Sequence, residues 1–214
     1  IHNSVTTISE GAFGHCTTLK SIIVPKSVKY IERGAFEGCD SLGVIKVEAG
    51  NTTFDSRENC NAIIESSTNT LIAGCQNTVI PNSVTSIGQD AFYMCTSLES
   101  VVIPDSVTSI GNWAFMENRI KSINIPDSVT FIGRGNFYRC FNLQSVVIPD
   151  GVTSIGEYVF DGCSGLISVR IPDSVTSIGF AAFHNCFSFL FCRDGKHPDG
   201  QVLYIPRRTN LIKI

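Results

Sequence analysis

Apolar residues along this chain recur in a fixed order rather than at a helical period. The order is clearest over residues 91–111, where Ala91, Phe92, Cys95, Leu98, Val101, Ile103, Val107 and Ile110 are separated mostly by polar positions. It then starts again. Pro-x-Ser-Val-Thr or a close variant stands at Pro25, Pro81, Pro104, Pro126, Pro149 and Pro172, in steps of 56, 23, 22, 23 and 23 residues. A Phe column at Phe13, Phe36, Phe92, Phe115, Phe137, Phe160 and Phe183 sets the number of recognisable units at seven. Self-similarity at such a period predicts a solenoid in which each unit forms one coil and stacks on the next.

The order within a unit predicts its path. Leu98, Val101 and Ile103 fit a strand whose last positions alternate inward and outward. The following proline has no N–H to give to a ladder, so Pro104 ends the strand and fixes a turn. Val107 and Ile110 point inward again, Gly111 permits the next bend, and a short helical turn around Ala114 and Phe115 carries the ring into the core. No single coil can bury these side chains alone. Stacking at about 4.8 Å buries them, at roughly 1.5–3 kcal/mol each, so identical columns are a packing requirement.

The run Ala-Phe-x-x-Cys-x-x-Leu-x-x-Val-x-Ile-Pro-x-Ser-Val-Thr-x-Ile-Gly, which spans residues 91–111, resembles the BspA-type leucine-rich repeat. The resemblance covers about residues 1–48 and 79–190. It implies a leucine-rich-repeat solenoid, a β-rich α/β fold with a parallel β-sheet on the concave face and short helical or 3-10 turns. The family's association with surface proteins of host-associated microbes, several of them adhesins, implies a cell-surface or secreted binding module whose partner is a host or matrix protein or a glycan. It carries no catalytic motif, so it implies neither an enzyme nor a cofactor. The competing reading is a structural spacer that displays another part of a longer surface protein. Ile1-His2-Asn3-Ser4-Val5 matches the Ile-Pro-Asn-Ser-Val element with His2 for proline, so the sequence begins inside a unit and a targeting segment is expected outside it.

Three stretches depart from the pattern. Asn118 stands where the column has Cys, in a unit shortened by one residue around Asn118-Arg119-Ile120; an Asn can bond neighbouring carbonyls there, with a local kink. Between about residues 48 and 78, Cys60–Glu65 and Thr70–Cys75 flank a polar turn at Ser66–Asn69 and predict a β-hairpin inserted in the solenoid domain of residues 1–190. Either it protrudes as a binding arm or it packs as a variant repeat. Residues 191–214 read as a C-terminal cap over the open edge of the stack.

Composition narrows the partners. A net charge of −3 and a pI near 5.8 give no basic field for nucleic acid, and no apolar run of about 18 residues predicts direct membrane insertion. A monomer is the default expectation. Of nine cysteines, Cys16, Cys39, Cys95, Cys140, Cys163 and Cys186 share one inward place in the repeat and read as structural thiols. No Cys-x-x-Cys spacing suggests zinc, and no metal site is expected. An oxidising compartment would allow Cys60 to pair with Cys75 and Cys186 with Cys192. His15 beside Cys16 and His184 near Cys186 have the composition of a thiol catalyst, but adjacent side chains usually point apart. The column Asp105, Asp127, Asp150 and Asp173 could attract Ca²⁺; more simply, each Asp caps its own turn.

One surface stands out. Positions bracketing the Phe column hold Tyr93, Met94, Trp113, Met116, Tyr138 and Tyr158, whereas elsewhere they hold Gly11, Gly14, Gly34 and Gly38. The core therefore does not demand large groups there. Aromatics and Met are enriched at interfaces, which makes these six the candidate binding residues. The plainer reading is that they partly cover the stack.

Overall fold

The computed structural model describes residues 1–186. It is a β-solenoid whose coils repeat by parallel pairing. Ser21–Val24 pairs with Val44–Val47, and Ser122–Asn124, Ser145–Val147 and Ser168–Arg170 form a three-stranded ladder. These are the strands predicted from Leu-x-x-Val-x-Ile. Their alternation is the expected one, with Ile123, Val146 and Val169 buried between exposed or half-buried neighbours. The ladder is interrupted at residues 101–103, one coil before the shortened unit. Across the missing residue the ladder after the proline continues, since Ser109 faces Phe131, while the first ladder resumes only at Ser122, which faces Ser145.

A second ladder follows the proline. Two-residue strands at Ser86–Ile87, Ser109–Ile110 and Phe131–Ile132 pair in parallel, as do Thr7–Ile8 with Tyr30–Ile31 and Ser154–Ile155 with Ser177–Ile178. The serine before each valine explains part of the repeat: Ser27, Ser106, Ser128 and Ser174 each donate to the carbonyl of the valine one coil earlier, at 2.7–2.8 Å. Here the hydroxyl ties coil to coil. The expected Asp caps are not what closes these turns; the backbone does, as in Val107 N–H to the Pro104 carbonyl at 3.0 Å. Asp105, Asp127, Asp150 and Asp173 are exposed.

Gly111 acts through proximity rather than through a bend. A Cβ on it would lie 2.6 Å from the Gln89 nitrogen, and one on Gly133 would lie 2.4 Å from the Asn112 nitrogen, so the column holds glycine where successive backbones nearly touch.

The Phe turns are tight hydrogen-bonded turns, not helices; the 3-10 segment found among the described residues is Arg57–Asn59. Five Phe N–H groups donate to the next coil: Phe13 to Ala35, Phe92 to Ala114, Phe115 to Asn136, Phe137 to Val159 and Phe160 to Ala182, at 2.8–3.0 Å. Their rings stack almost parallel from Phe92 through Phe115, Phe137 and Phe160 to Phe183, with centres 5.1–5.7 Å apart. Phe13 and Phe36 form a separate pair at 5.4 Å.

The insertion separates the two stacks. Phe54–Asp55, Ile63–Glu65 and Thr70–Ala73 form an antiparallel meander whose last strand pairs in parallel with Ser86–Ile87. The predicted hairpin is present, but it does not protrude. Ile63 and Ala73 join the core of the first coils, while Ile64 and Leu71 join the core of the later ones, so the meander is buried on both sides. Its loops are tied down by Asn51, which donates to the Pro25 and Val28 carbonyls at 3.0 Å, and by Arg57, paired with Asp55 at 2.6 Å. The predicted cap at 191–214 and the Cys186–Cys192 pairing lie outside the described residues.

Candidate functional site: a notch in the phenylalanine ladder

The meander makes a short coil. Thr70 faces Ser86, a step of sixteen residues, where Ser86 faces Ser109 across twenty-three. What the short coil lacks is the Phe turn. Gly74 N–H donates to the Ala91 carbonyl at 2.8 Å, the bond that Phe13 makes to Ala35, so a glycine occupies the phenylalanine place. The edge of the Phe92 ring lies over it: a Cβ on Gly74 would sit 2.1 Å from Phe92 Cε1. The result is a narrow cleft between Phe36 and Phe92 with Ala73 and Gly74 at its base. Behind it the long coils meet directly, with Thr96 bonded to the Asp40 carboxylate and the Ser97 hydroxyl donating to the Asp40 carbonyl at 2.7 Å.

Outward, this cleft shares Gly34, Glu37, Asp90 and Tyr93 with an open groove of about 510 Å³. Five of the six candidate binding residues line that groove: Tyr93, Trp113, Met116, Tyr138 and Tyr158. Met94 does not. All six are half-buried. The polar part of the lining, which the sequence reading missed, comprises Glu10, Arg33, Glu37, Gln89, Asp90 and Arg134.

Backbone geometry corrects the argument that singled out Met94, Trp113 and Tyr158, though not that for Tyr93, Met116 and Tyr138, which share the place of Gly14. Two places in each Phe turn have positive φ, two before and two after the ring: Gly11 and His15, Gly34 and Gly38, Asp90 and Met94, Trp113 and Glu117, Gly135 and Arg139, Tyr158 and Gly162, Ala181 and Asn185. Glycine recurs there because the left-handed conformation favours it, not because the core is indifferent to size. Trp113 (φ 57°) and Tyr158 (φ 58°) hold that conformation with large rings, at a cost of roughly 1–2 kcal/mol each. Packing offsets it. The Trp113 ring lies on Gly135 of the next coil, where a Cβ would approach Cζ3 to 1.8 Å, and meets Tyr138 edge-on at 5.9 Å. The Arg134 guanidinium stands 5.7 Å from the Trp113 ring centre and 5.0 Å from that of Tyr158; Arg139 stands 5.2 Å over Tyr138.

The cysteine column is a different kind of feature. Cys39, Cys140, Cys163 and Cys186 each donate their thiol to the carbonyl of the Phe one coil earlier, at 3.0–3.1 Å. Asn118 makes the equivalent bond through Nδ2 to the Phe92 carbonyl at 2.8 Å, as expected of an Asn in that place. Cys16 departs from the inward assignment and is exposed. Burial pushes Cys39 up to about 11 and Cys95 and Cys140 to about 12. Cys60 and Cys75 are free and buried, not joined in the disulfide that an oxidising compartment would allow. Their sulfurs face different carbonyls, Ala62 at 3.7 Å and Asn61 at 3.3 Å, and burial raises both thiols.

Cys186 and His184 turn to different partners. The Cys186 thiol donates to Phe160, whereas His184 Nδ1 lies 3.1 Å from Asp161. Among the described residues no group of three His, Cys, Asp or Glu gathers closely enough to hold a metal ion, and no helix is long and apolar enough to cross a membrane. On the folded protein near about pH 8, iodoacetamide is expected to alkylate Cys16 rapidly while Cys39, Cys60, Cys75, Cys95, Cys140, Cys163 and Cys186 resist, because only thiolate at an accessible sulfur reacts. Peptide mass spectrometry reads this out; modification of Cys140 at the rate of Cys16 would contradict the buried column.

Comparison with known proteins agrees with this architecture. A profile described as the BspA type leucine rich repeat region matches in 6 copies over residues 1–74 and 63–189. A leucine-rich cell surface protein of Faecalibacterium prausnitzii superposes with a TM-score of 0.75 at 34% identity, over 90% of this chain and 53% of that one. A leucine-rich repeat protein of Eubacterium ventriosum shares the fold with a TM-score of 0.71 at 21% identity, over 92% and 59% of the two chains. The leucine-rich repeat protein of Treponema pallidum aligns with a TM-score of 0.57 at 28% identity, over 87% and 72%. The chain thus spans little more than half the length of the first two. No protein with a curated description matches it. Its repeats, its stacked coils and its solved relatives agree: the chain belongs to the BspA-type leucine-rich repeat family.

Proposed function

We propose that this chain is a non-enzymatic binding module, displayed at a cell surface or secreted, that engages a host or matrix protein or a glycan through the groove at the notch. The observation that carries the reading is the gathering of Tyr93, Trp113, Met116, Tyr138 and Tyr158 in one groove where the Phe ladder is broken. Rings that are half-buried yet accessible contribute large contact area at low entropic cost. Two of them hold left-handed backbone where glycine would be unstrained, and strain of this kind clusters at functional sites. The surface location rests on the family and on the Faecalibacterium relative, which is described as a cell surface protein.

The test is binding of the 214-residue chain to a panel of extracellular-matrix proteins and glycans, beside a Trp113→Ala, Tyr138→Ala double variant whose circular dichroism shows it folded. A retained ligand should bind the variant at least about tenfold more weakly, as expected for interface anchors of this type. A ligand held equally by both forms would move the site elsewhere. No ligand at all would favour the spacer reading.

A further inference from the structure

The aromatic row carries cations of its own. Arg134 lies over Trp113 and Tyr158 and pairs with Glu157 at 3.5 Å; Arg139 lies over Tyr138 and pairs with Glu117 at 3.5 Å. Ring, guanidinium and carboxylate therefore recur along these coils, as the negative face of an aromatic ring favours. At the notch the sequence of groups is incomplete. Tyr93 lies in the groove with the carboxylates of Glu37 and Asp90, but among the described residues no cation stands over its ring.

The charges of that wall do not balance. Glu10, Glu37 and Asp90 face Arg33, whose Nε is engaged by Glu10 at 3.2 Å. Burial raises the Asp90 carboxyl, with Glu37 and Glu10 adding to the effect and Gln89 and Arg33 opposing it. Burial also raises the Tyr93 hydroxyl, reinforced by Glu37, Glu117 and Asp90. Burial leads both shifts, and the neighbouring carboxylates push in the same direction. Carboxylates beside an aromatic face in an open groove suit an organic cation on a stem long enough to enter the cleft.

Resting on the reading of the groove as a binding site, we propose that its Tyr93 end receives a lysine or arginine side chain from an extended segment of a protein partner, held between the Tyr93 ring and the carboxylates of Glu37 and Asp90. A neutral sugar would stack on the rings but leave the carboxylates uncompensated. Trp113 is the one tryptophan of the chain and lines the same groove, so its emission reports occupancy.

The test uses the 214-residue chain and three probes: the blocked pentapeptides Ala-Lys-Ala-Lys-Ala and Ala-Gln-Ala-Gln-Ala, and the neutral oligosaccharide chitotetraose. The lysine peptide should change Trp113 emission saturably and bind about tenfold more tightly than the glutamine peptide, the margin of one charge-assisted contact. A Glu37→Gln, Asp90→Asn variant should erase that margin, and Arg33→Gln, which removes the competing cation, should widen it about threefold. Opposite responses of the two variants exclude general damage to the fold. Equal binding of the two peptides, or a margin unaffected by the carboxylate variant, overturns the proposal. A response to chitotetraose alone overturns the cation and leaves the groove as a glycan site. Silence of Trp113 toward all three overturns both the cation and the groove.

Discussion

Replacing Phe137 with alanine is expected to lower stability by about 3–5 kcal/mol, the range for a fully buried phenylalanine whose site cannot collapse. Collapse is blocked from both sides. The ring lies between Phe115 at 5.7 Å and Phe160 at 5.6 Å, and the backbone of its turn is pinned by bonds to Val159 and from Phe115 to Asn136. A stacked array couples each coil mainly to its neighbours, so the loss should also broaden or split the urea transition as coils on either side of the cavity uncouple. Phe13, half-buried beside Phe36, provides the internal comparison. Its alanine variant should lose about 1–2 kcal/mol, in proportion to the smaller buried area. Equal losses at the two positions would mean that the rings are not a ladder with an interior.

The second large effect is alkaline. Cys140 and Cys163 are fully buried; burial pushes the first up to about 12 and the second higher still, while an unfolded thiol titrates near about 8.5. Between those values the unfolded chain has released protons that the folded chain retains, so rising pH favours unfolding. The stabilisation is whole below the unfolded value and is lost as pH climbs toward the folded one. Two such thiols steepen the loss by about 3 kcal/mol per pH unit, and Cys39, Cys95 and Cys186, also raised, act in the same direction. Urea titrations from about pH 8 to 11 should show stability falling steeply, and Cys140→Ala should make the decline shallower despite its own packing loss. A flat profile to about pH 11 would show that the column does not stay protonated in the folded state.

Much of the fold could be read from the residues because a solenoid writes its packing into a single period. The columns of Phe, Leu, Val and Ile are core, the strand ends at proline, and Asn118 takes over the carbonyl bond of cysteine. The errors share a cause. Glycine has several uses that look alike in sequence: at Gly34 it allows positive φ, at Gly111 close approach of two backbones, and at Gly74 room for a neighbour's ring. Reading Gly11 and Gly34 as proof of an undemanding core hid the strain accepted by Trp113 and Tyr158.

The candidate groove was half legible. Its aromatic wall repeats with the period and so could be found, but its other wall comes from Glu10, Arg33 and Glu37, which meet Asp90 and Tyr93 only because a coil between them lacks its turn. Nothing local in those residues announces the meeting. Likewise the hairpin was visible as two apolar runs about a polar turn, whereas its burial on both faces depends on what lies before and behind it.

That double-faced burial bears on how such a molecule can change length. Ordinarily a coil added to or lost from a stack gives the rings on either side of it new partners, because the columns run without a break. Here the meander is already complementary to a different surface on each side, with Ile63 and Ala73 answering one and Ile64 and Leu71 the other. Coils can therefore be gained or lost on one side without disturbing the packing on the other. The groove, built where the two lengths abut, keeps its walls whatever the number of repeats beyond them.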